Sequence, residues 1–186
     1  FGTVYHVKYQ YGSSLHADIM ERLLAVDSSL SMFNKQSTVS RINSGESLQT
    51  DSLLEMVFQF SRSISEATNG AFDVTVAPLV NAWGFGFKHD QWPDTATVDS
   101  LRQLVGWQKV SIHNHQLQKA DPRMVLDFGA VAKGFGVDEV ASLFRSKGIK
   151  NFMIEIGGEI VASGQNPKGA PWRIGINKPD DDPNNL

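Results

Sequence analysis

The sequence predicts an α+β fold in a single domain spanning residues 1–186. Segments whose apolar residues recur at helical spacing are mixed with short segments that alternate apolar and polar residues, and one of these has a hairpin pattern. With 41% hydrophobic and 20% charged residues, the 186-residue chain can bury a core. Because helices and strands are mixed, we expect mixed sheets packed with helices.

The composition excludes several classes of protein. The 17 basic and 20 acidic residues give a net charge of −3, which does not favour a nucleic-acid partner. No apolar stretch approaches the ~18 residues of a membrane span, and no signal segment opens the chain. The absence of cysteine excludes disulfides and thiolate metal sites. Since Phe1 leads directly into strand-like sequence, we expect a leader or linker to have been removed.

The N-terminal third is predicted to be a strand, a helix, a loop and a second helix. Residues 2–9 alternate small or apolar with polar types, whereas residues 15–30 place apolar side chains at helical spacing. Residues 31–45 are polar with isolated apolar positions and are predicted as a loop. A helical stripe over 52–68 ends at Asn69–Gly70, a pair suited to the left-handed conformation.

The central part is predicted to contain irregular backbone, a short helix and a hairpin. Glycine and proline interrupt the apolar residues 70–87, which favours an irregular segment packed against other elements. Thr97 is predicted to cap a helix that ends near Val105. Residues 109–119 alternate around Asn114–His115, as in a hairpin.

The C-terminal part is predicted to contain four strands and a long helix. The predicted strands are 125–128, 151–156, 159–162 and 172–176, the helix is 129–147 closed by Gly148, and Gly157–Gly158 forms a tight turn.

The segment 125–138, VLDFGAVAKGFGVD, is unusual for a purely structural helix. Its three glycines, each costing ~1 kcal/mol against alanine inside a helix, indicate a close approach to the backbone. Lys133 lies near the positive end of the helix dipole, where a bound anion would reverse an unfavourable interaction. Asp127 at the strand end, free N–H groups at the helix start and Lys133 are together suited to a phosphate or pyrophosphate. Tight helix-to-sheet packing is the alternative reason for the glycines.

Several motifs together resemble the ApbE-like FAD:protein FMN transferase family, of which this chain would be the N-terminal part. They occur in the family's order over essentially the whole chain: Gly2–Thr3, 31–43, GAFDVTVAPLVNAWGFG at 70–86, LDFGAVAKGFGVD at 126–138, IGGEI at 156–160 and WRIGINKP at 172–179. The resemblance implies a cleft for FAD. It also implies that the C-terminal portion of the family domain is missing, because the motifs that carry the side-chain ligands of the metal do not occur in the sequence up to Leu186.

The resemblance implies an activity and a location. FAD would be the substrate, Mg²⁺ the metal, and an acceptor flavoprotein subunit would receive FMN on a Thr or Ser with release of AMP. An FAD pyrophosphatase that releases FMN and AMP, and a non-catalytic FAD-binding protein, are the alternatives. The family suggests an exported protein on the periplasmic side of a bacterial inner membrane, held only by a lipid anchor upstream of Phe1.

The resemblance also assigns candidate site residues, although it leaves the catalytic residues unknown. The FAD-binding candidates are Phe1, Phe33, Ala71, Phe72, Asp73, Asp127 and Lys133, and the Mg²⁺ candidate is the carbonyl of Ala130. Because one backbone carbonyl cannot complete the octahedral oxygen coordination of Mg²⁺, we expect this chain alone to bind metal poorly and to transfer FMN slowly or not at all.

Other conspicuous residues have competing interpretations. Asp73 either caps backbone N–H groups or meets the ligand, because an unpaired carboxylate is costly to bury. Trp83, Phe85 and Phe87 either stack on flavin or fill the core, and we expect both uses. Three further groups are predicted to be solvated surface rather than metal or acid–base sites: His113 with His115, the run 180–182, and Glu155 with Glu159.

Overall fold

A computed structural model describes residues 2–85 and 92–175. The helices of this part are α1 His16–Leu30, α2 Thr38–Ser44, α3 Ser52–Ala67, α4 Ala77–Ala82, α5 Thr95–Arg102 and α6 Gly129–Ser146. The strands are β1 Tyr5–Tyr9, β2 Val110–His113, β3 Gln116–Lys119, β4 Phe152–Ile156 and β5 Glu159–Ser163. The predicted α+β class is confirmed. None of the described helices is long and apolar enough to cross a membrane.

One half of the core lies under a three-stranded antiparallel sheet in the order β1-β4-β5. Val7 pairs with Ile154, which in turn pairs with Val161, and this register directs alternate residues of β4 inwards. The inward residues Phe152, Ile154 and Ile156 pack against α1 and the C-terminal half of α6. Phe144 of α6 meets the Phe152 ring edge-on, with 5.4 Å between centroids.

The other half of the core lies between α1, α2, α3 and the β2–β3 hairpin. Val26 and Leu30 near the end of α1 are buried there, together with Met124, Leu126 and Phe128 from the segment before α6. The first turns of α6 pack on this half, whereas its later turns pack under the sheet. The start of α6 is therefore fixed where the two halves of the core meet.

Most predicted elements are confirmed within one to three residues at their ends. Asn69 and Gly70 adopt positive φ after α3, as the Asn-Gly pair predicts. Asn114 and His115, with φ of 49° and 60°, form the turn between β2 and β3. Gly148 with φ of 74° follows α6.

The prediction that residues 31–45 form a loop is wrong over its second half, which is α2. The Ser37 side chain accepts a hydrogen bond from the Ser40 N–H at 3.1 Å and so caps the helix. Val39 and Ile42 are three residues apart and fully buried, and Gly45 ends the helix with a φ of 77°. Tertiary burial of these two side chains stabilises a helix too short for its periodicity to be recognised.

The predicted strand at 125–128 is also wrong, because its backbone does not pair with another strand. The Asn43 side chain donates to the Leu126 carbonyl at 2.8 Å and accepts from the Leu126 N–H at 2.9 Å. The Asp127 N–H donates to the carbonyl of Val74 at 2.7 Å. An amide side chain and one loop carbonyl thus satisfy the buried backbone of Leu126 and the N–H of Asp127.

Smaller corrections concern three other segments. The stretch 70–87, predicted to be irregular, contains α4, whose first turn includes Pro78. Asp94 rather than Thr97 caps α5, because its side chain accepts the Thr97 N–H at 2.7 Å. Residues 172–175 form no strand, while Ile176, the run 180–182, Phe87 and Phe1 lie outside the described residues.

The tip of the β2–β3 hairpin is tied to α3 through one carboxylate. Glu55 accepts hydrogen bonds from the Thr50 hydroxyl and, at 2.9 Å, from Nδ1 of His115 when that nitrogen carries a proton. These bonds, with Thr50 the larger cause and His115 the second, hold the pKa of Glu55 below its usual value. Among the described residues no group of three metal-ligating side chains occurs, so the His113–His115 pair has no metal set around it.

This tie predicts a pH dependence of stability. Because the folded-state pKa of Glu55 is lowered, its contribution is present above the unfolded value of 4.5 and is lost as the pH falls through the folded value. We expect Glu55→Gln to lower the urea midpoint at pH 7 and to approach the wild type at a second pH well below 4.5. Glu66→Gln, which removes an exposed i,i+4 pair with Arg62, is the control. An equal effect of Glu55→Gln at both pH values would contradict the prediction.

Candidate functional site

A cavity of about 320 Å³ opens between the end of α1, the segment that follows it, α4 and the start of α6. Its floor is apolar, since Val26 and Leu30 are buried in the core. Asp127 and Lys133 bring polar groups from the start of α6, and Asp27, Ser31 and Asn81 bring others from the facing elements. The lining residues are Val26, Asp27, Leu30, Ser31, Met32, Phe33, Val80, Asn81, Phe85, Asp127, Gly129, Ala132 and Lys133. Three of the predicted FAD contacts, Phe33, Asp127 and Lys133, therefore share one cavity.

The backbone enters α6 through a turn closed by Asp127. Its Oδ1 accepts the N–H of Gly129 at 2.7 Å, and a Cβ at residue 129 would lie 2.9 Å from that oxygen. A side chain at residue 129 would push on the Asp127 carboxylate and so disturb this bond. The expectation of wholly free N–H groups at the helix start is therefore corrected: the first of them is bound to Asp127.

Lys133 supplies the cation at the edge of this cavity. Its Nζ donates to the carbonyl of Gly157 at 3.0 Å and lies 3.5 Å from Oε1 of Glu159. The side chain remains 38% exposed. Lys133 thus bridges α6 and the β4–β5 turn.

The β4–β5 turn is built to receive Lys133. Gly157 and Gly158 have φ values of 55° and 96°, and a Cβ at residue 157 would lie 3.0 Å from the Thr3 methyl carbon and 3.3 Å from Cδ of Lys133. The Glu155 carboxylate accepts the Gly158 N–H at 2.6 Å and bonds to Nδ1 of His6 at 2.7 Å. The His6 bond first, then the Gly158 N–H, holds the pKa of Glu155 below its usual value, with the charge of Lys133 adding to the effect.

Two phenylalanines flank the mouth of the cavity. Phe33 is 85% exposed and Phe85 is 82% exposed, although both line the cavity. Large apolar side chains so exposed beside a concave site are typical of a binding surface. Trp83 instead packs its ring against Trp92, with centroids 5.5 Å apart.

The GAFD residues do not line this cavity. Phe72 packs against the core, and Asp73 accepts three bonds, from the Thr75 N–H at 2.8 Å, the Thr75 hydroxyl at 2.7 Å and the Trp107 N–H at 2.9 Å. Of the two interpretations of Asp73, the structure shows backbone capping. The segment is still tied to the site, because the Val74 carbonyl accepts the Asp127 N–H. The FAD contacts predicted for Ala71, Phe72 and Asp73 stay predictions.

Ala130 lies on the other side of α6. It lines a second hollow of about 420 Å³ between α3, α6 and β5, together with the exposed Met56 and Phe60. Within residues 2–85 and 92–175 no three His, Asp or Glu side chains gather as a metal site, there or elsewhere. The described residues alone therefore do not fit Mg²⁺, which prefers near-octahedral oxygen ligands.

Comparison with known proteins places this geometry in a family. The ApbE family matches residues 1–186. The chain belongs to the ApbE family. It is 37% identical over 197 residues to the FAD:protein FMN transferase of Haemophilus influenzae, covering 96% of this chain and 56% of that protein. To the one of Vibrio cholerae it is 39% identical, with 96% and 57% covered. The chain thus spans little more than half the length of these relatives.

Solved ApbE structures share the fold. The flavin transferase ApbE from Vibrio cholerae superposes with a TM-score of 0.88 at 38% identity, covering 96% of this chain and 62% of that one. The apo form of the Pseudomonas stutzeri flavinyl transferase ApbE gives 0.86 at 33% identity, with 94% and 62% covered. The predicted family and its α+β architecture are confirmed.

The ApbE-like motifs come together in ways the linear sequence does not reveal. The IGGEI motif ends β4 and meets Lys133 of the LDFGAVAKG motif, so Glu155, Gly157 and Glu159 join the surroundings of the site. The sequence pattern predicts both glutamates to be solvated surface. Two consecutive glycines between strands, with a carboxylate two residues before them, were the available sign of a constrained turn.

Proposed function

We propose that this chain forms the FAD-binding part of an FAD:protein FMN transferase. The observation that carries the proposal is the cavity that joins an apolar floor to the ammonium of Lys133. In the reaction, a Thr or Ser hydroxyl oxygen of the acceptor forms a bond to the FMN phosphorus. The bond from that phosphorus to the bridging oxygen breaks, AMP leaves with that oxygen, and the hydroxyl proton passes to solvent or a base.

The cavity fits part of FAD rather than all of it. Its volume of about 320 Å³ is at the small end of ligand pockets, which range over roughly 300–1,000 Å³, so one ring system would enter while the rest runs along the surface. Val26 and Leu30 offer apolar contacts to such a ring, and Phe33 and Phe85 offer aromatic faces at the mouth. Lys133 would meet the diphosphate, which carries the negative charge of FAD.

The role of each candidate follows from its position. Lys133 would neutralise phosphate charge, which is the main help that phosphoryl transfer needs from a protein. Asp127 would keep the helix start in shape through Gly129 and present its other carboxylate oxygen to a hydroxyl or ring N–H. Mg²⁺ dependence belongs to the proposal by resemblance, with the Ala130 carbonyl contributing one ligand at most. When bound, the metal would withdraw charge from the phosphates.

The acceptor and the location complete the proposal and rest on the resemblance alone. The acceptor would be a flavoprotein subunit that presents a Thr or Ser. The reaction would take place on the periplasmic side of a bacterial inner membrane, with the protein held there by a lipid anchor. No part of the described chain would itself enter the membrane.

Mass spectrometry after incubation tests the proposed function. The protein is mixed with FAD, Mg²⁺ and a Thr-containing acceptor peptide, with one sample containing excess EDTA. We expect the peptide to gain the mass of FMN with equimolar AMP, and EDTA to abolish the gain. A slow or absent gain is expected if residues 1–186 alone are used, because the described residues gather no set of side-chain ligands for the metal.

The same experiment distinguishes the two alternative functions, FAD pyrophosphatase and non-catalytic FAD binding. AMP with free FMN and an unmodified peptide would show an FAD pyrophosphatase. FAD that binds but stays intact would show a non-catalytic FAD-binding protein. Binding is measured by flavin fluorescence with the longest available form of the protein. A peptide that replaces the acceptor Thr by Val, which has similar volume and no hydroxyl, is the matched control and should gain nothing.

A further inference from the structure

We infer that Glu155 is a positioning residue for Lys133, acting through the Gly157–Gly158 turn. Glu155 does not line the cavity, and its side chain is 20% exposed. Its importance for FAD rests on the proposed function, because only a diphosphate ligand requires Lys133 to be held in place.

The first step is the bond from Glu155 to the turn. Its Oε1 accepts the Gly158 N–H at 2.6 Å, while Oε2 is bonded to His6 at 2.7 Å. The carboxylate is thus anchored on both oxygens, one to its own hairpin and one to the neighbouring strand β1. A charged acceptor on a backbone N–H forms a stronger bond than a neutral one. Glu155 therefore adds a restraint to a glycine pair, whose backbone has more conformational freedom than that of other residues.

The second step is the bond from the turn to Lys133. The Gly157 carbonyl, one residue before the N–H that Glu155 holds, accepts Nζ of Lys133 at 3.0 Å. The Gly157 N–H donates to the Val4 carbonyl at 3.2 Å, so the turn is also attached to the chain before β1. If the turn rotates, the carbonyl moves and Lys133 loses its fixed partner. Its remaining partner is Glu159, at 3.5 Å.

Glu159 and Glu155 then have opposite expected effects on an anionic ligand. Glu159 lies beside the ammonium and competes with phosphate, so Glu159→Gln should tighten FAD binding. Glu155 also carries a negative charge near Lys133, and its removal by Glu155→Gln should not weaken FAD binding, because the amide oxygen still accepts the Gly158 N–H. Glu155→Ala removes the acceptor as well. The difference between the Gln and Ala variants thus separates positioning from charge.

A double-mutant cycle on FAD affinity tests the inference. We expect Glu155→Ala to weaken FAD about fivefold relative to Glu155→Gln, the range of one lost hydrogen bond, with riboflavin affinity unchanged. In a Lys133→Ala background, Glu155→Ala should not weaken FAD binding further, because the side chain that Glu155 positions is absent. A fivefold loss that persists in that background, or that is equal for riboflavin, would overturn the inference.

A measurement without ligand keeps the inference separate from the proposed function. In the NMR spectrum of the free protein, Glu155→Ala should shift the Lys133 Cε–Hε resonances and speed exchange of the Gly158 amide, whereas Glu155→Gln should preserve both. Unchanged Lys133 resonances in Glu155→Ala would refute positioning even if FAD binds. Conversely, absent FAD binding with the expected shifts would reject the proposed function and retain the positioning role. Glu66→Ala, with its side chain on α3, is the control for loss of a carboxylate.

Discussion

Replacing Lys133 by alanine is expected to weaken FAD binding by about 10- to 100-fold and to leave riboflavin binding nearly unchanged. A hydrogen bond to a charged group is worth about 1.5–3 kcal/mol, and each 1.4 kcal/mol is a factor of ten in affinity. Riboflavin lacks the diphosphate, so it gains nothing from the ammonium. Fluorescence titration of both flavins against the same preparation measures the two affinities.

The control for Lys133→Ala removes another lysine, one that lies away from the cavity. Lys8 is exposed on β1, and Lys8→Ala lowers the net charge equally without touching the cavity. It should leave both affinities near the wild type. Equal losses for FAD and riboflavin in Lys133→Ala would contradict the assignment of Lys133 to phosphate and would point to a rearranged cavity.

Replacing Asp73 by alanine is expected to lower the free energy of unfolding by about 3 kcal/mol. The change removes one charged acceptor and leaves the N–H and hydroxyl of the fully buried Thr75 without it. It also releases the Trp107 N–H and so loosens the connection to the 3-10 turn Trp107–Lys109. Urea denaturation followed by tryptophan fluorescence measures the loss.

Two comparisons make the Asp73 prediction specific. Asp73→Asn keeps one oxygen acceptor and should cost less than alanine, because only one side of the carboxylate is replaced by a donor. Asp99→Ala, on the exposed face of α5, should cost little. Unchanged stability in Asp73→Ala together with a large loss of FAD affinity would instead assign the carboxylate to the ligand.

Local chemistry explains why most of the helices and strands could be predicted. The stripe of α3 and its Asn69–Gly70 end, and the alternation around Asn114–His115, depend on neighbours within a few residues. The segment around Asp127 and Lys133 was recognisable because glycines inside a helix and a lysine in its first turns oppose helix propensity. Such local conflicts are often functional.

Prediction failed where a partner distant in the sequence decides the conformation. The composition of residues 125–128 predicts a strand, yet Asn43, more than 80 residues earlier, bonds both backbone groups of Leu126, and the Val74 carbonyl accepts the Asp127 N–H. The identity of Asp73 as an aspartate does not reveal whether its carboxylate faces a ligand or caps backbone N–H groups. Only the positions of Thr75 and Trp107 show which groups it bonds.

The amino-acid sequence by itself determined the ApbE family, the α+β class and the glycine-rich bend that presents Lys133. Only the tertiary structure decided what surrounds that lysine, because Gly157, Glu155 and His6 are brought to it by the pairing of β1 with β4 and by the packing of α6 under the sheet. Hydrogen bonds and charges act over a few ångströms of space. The sequence separation of 149 residues between His6 and Glu155 therefore gives no indication that they meet.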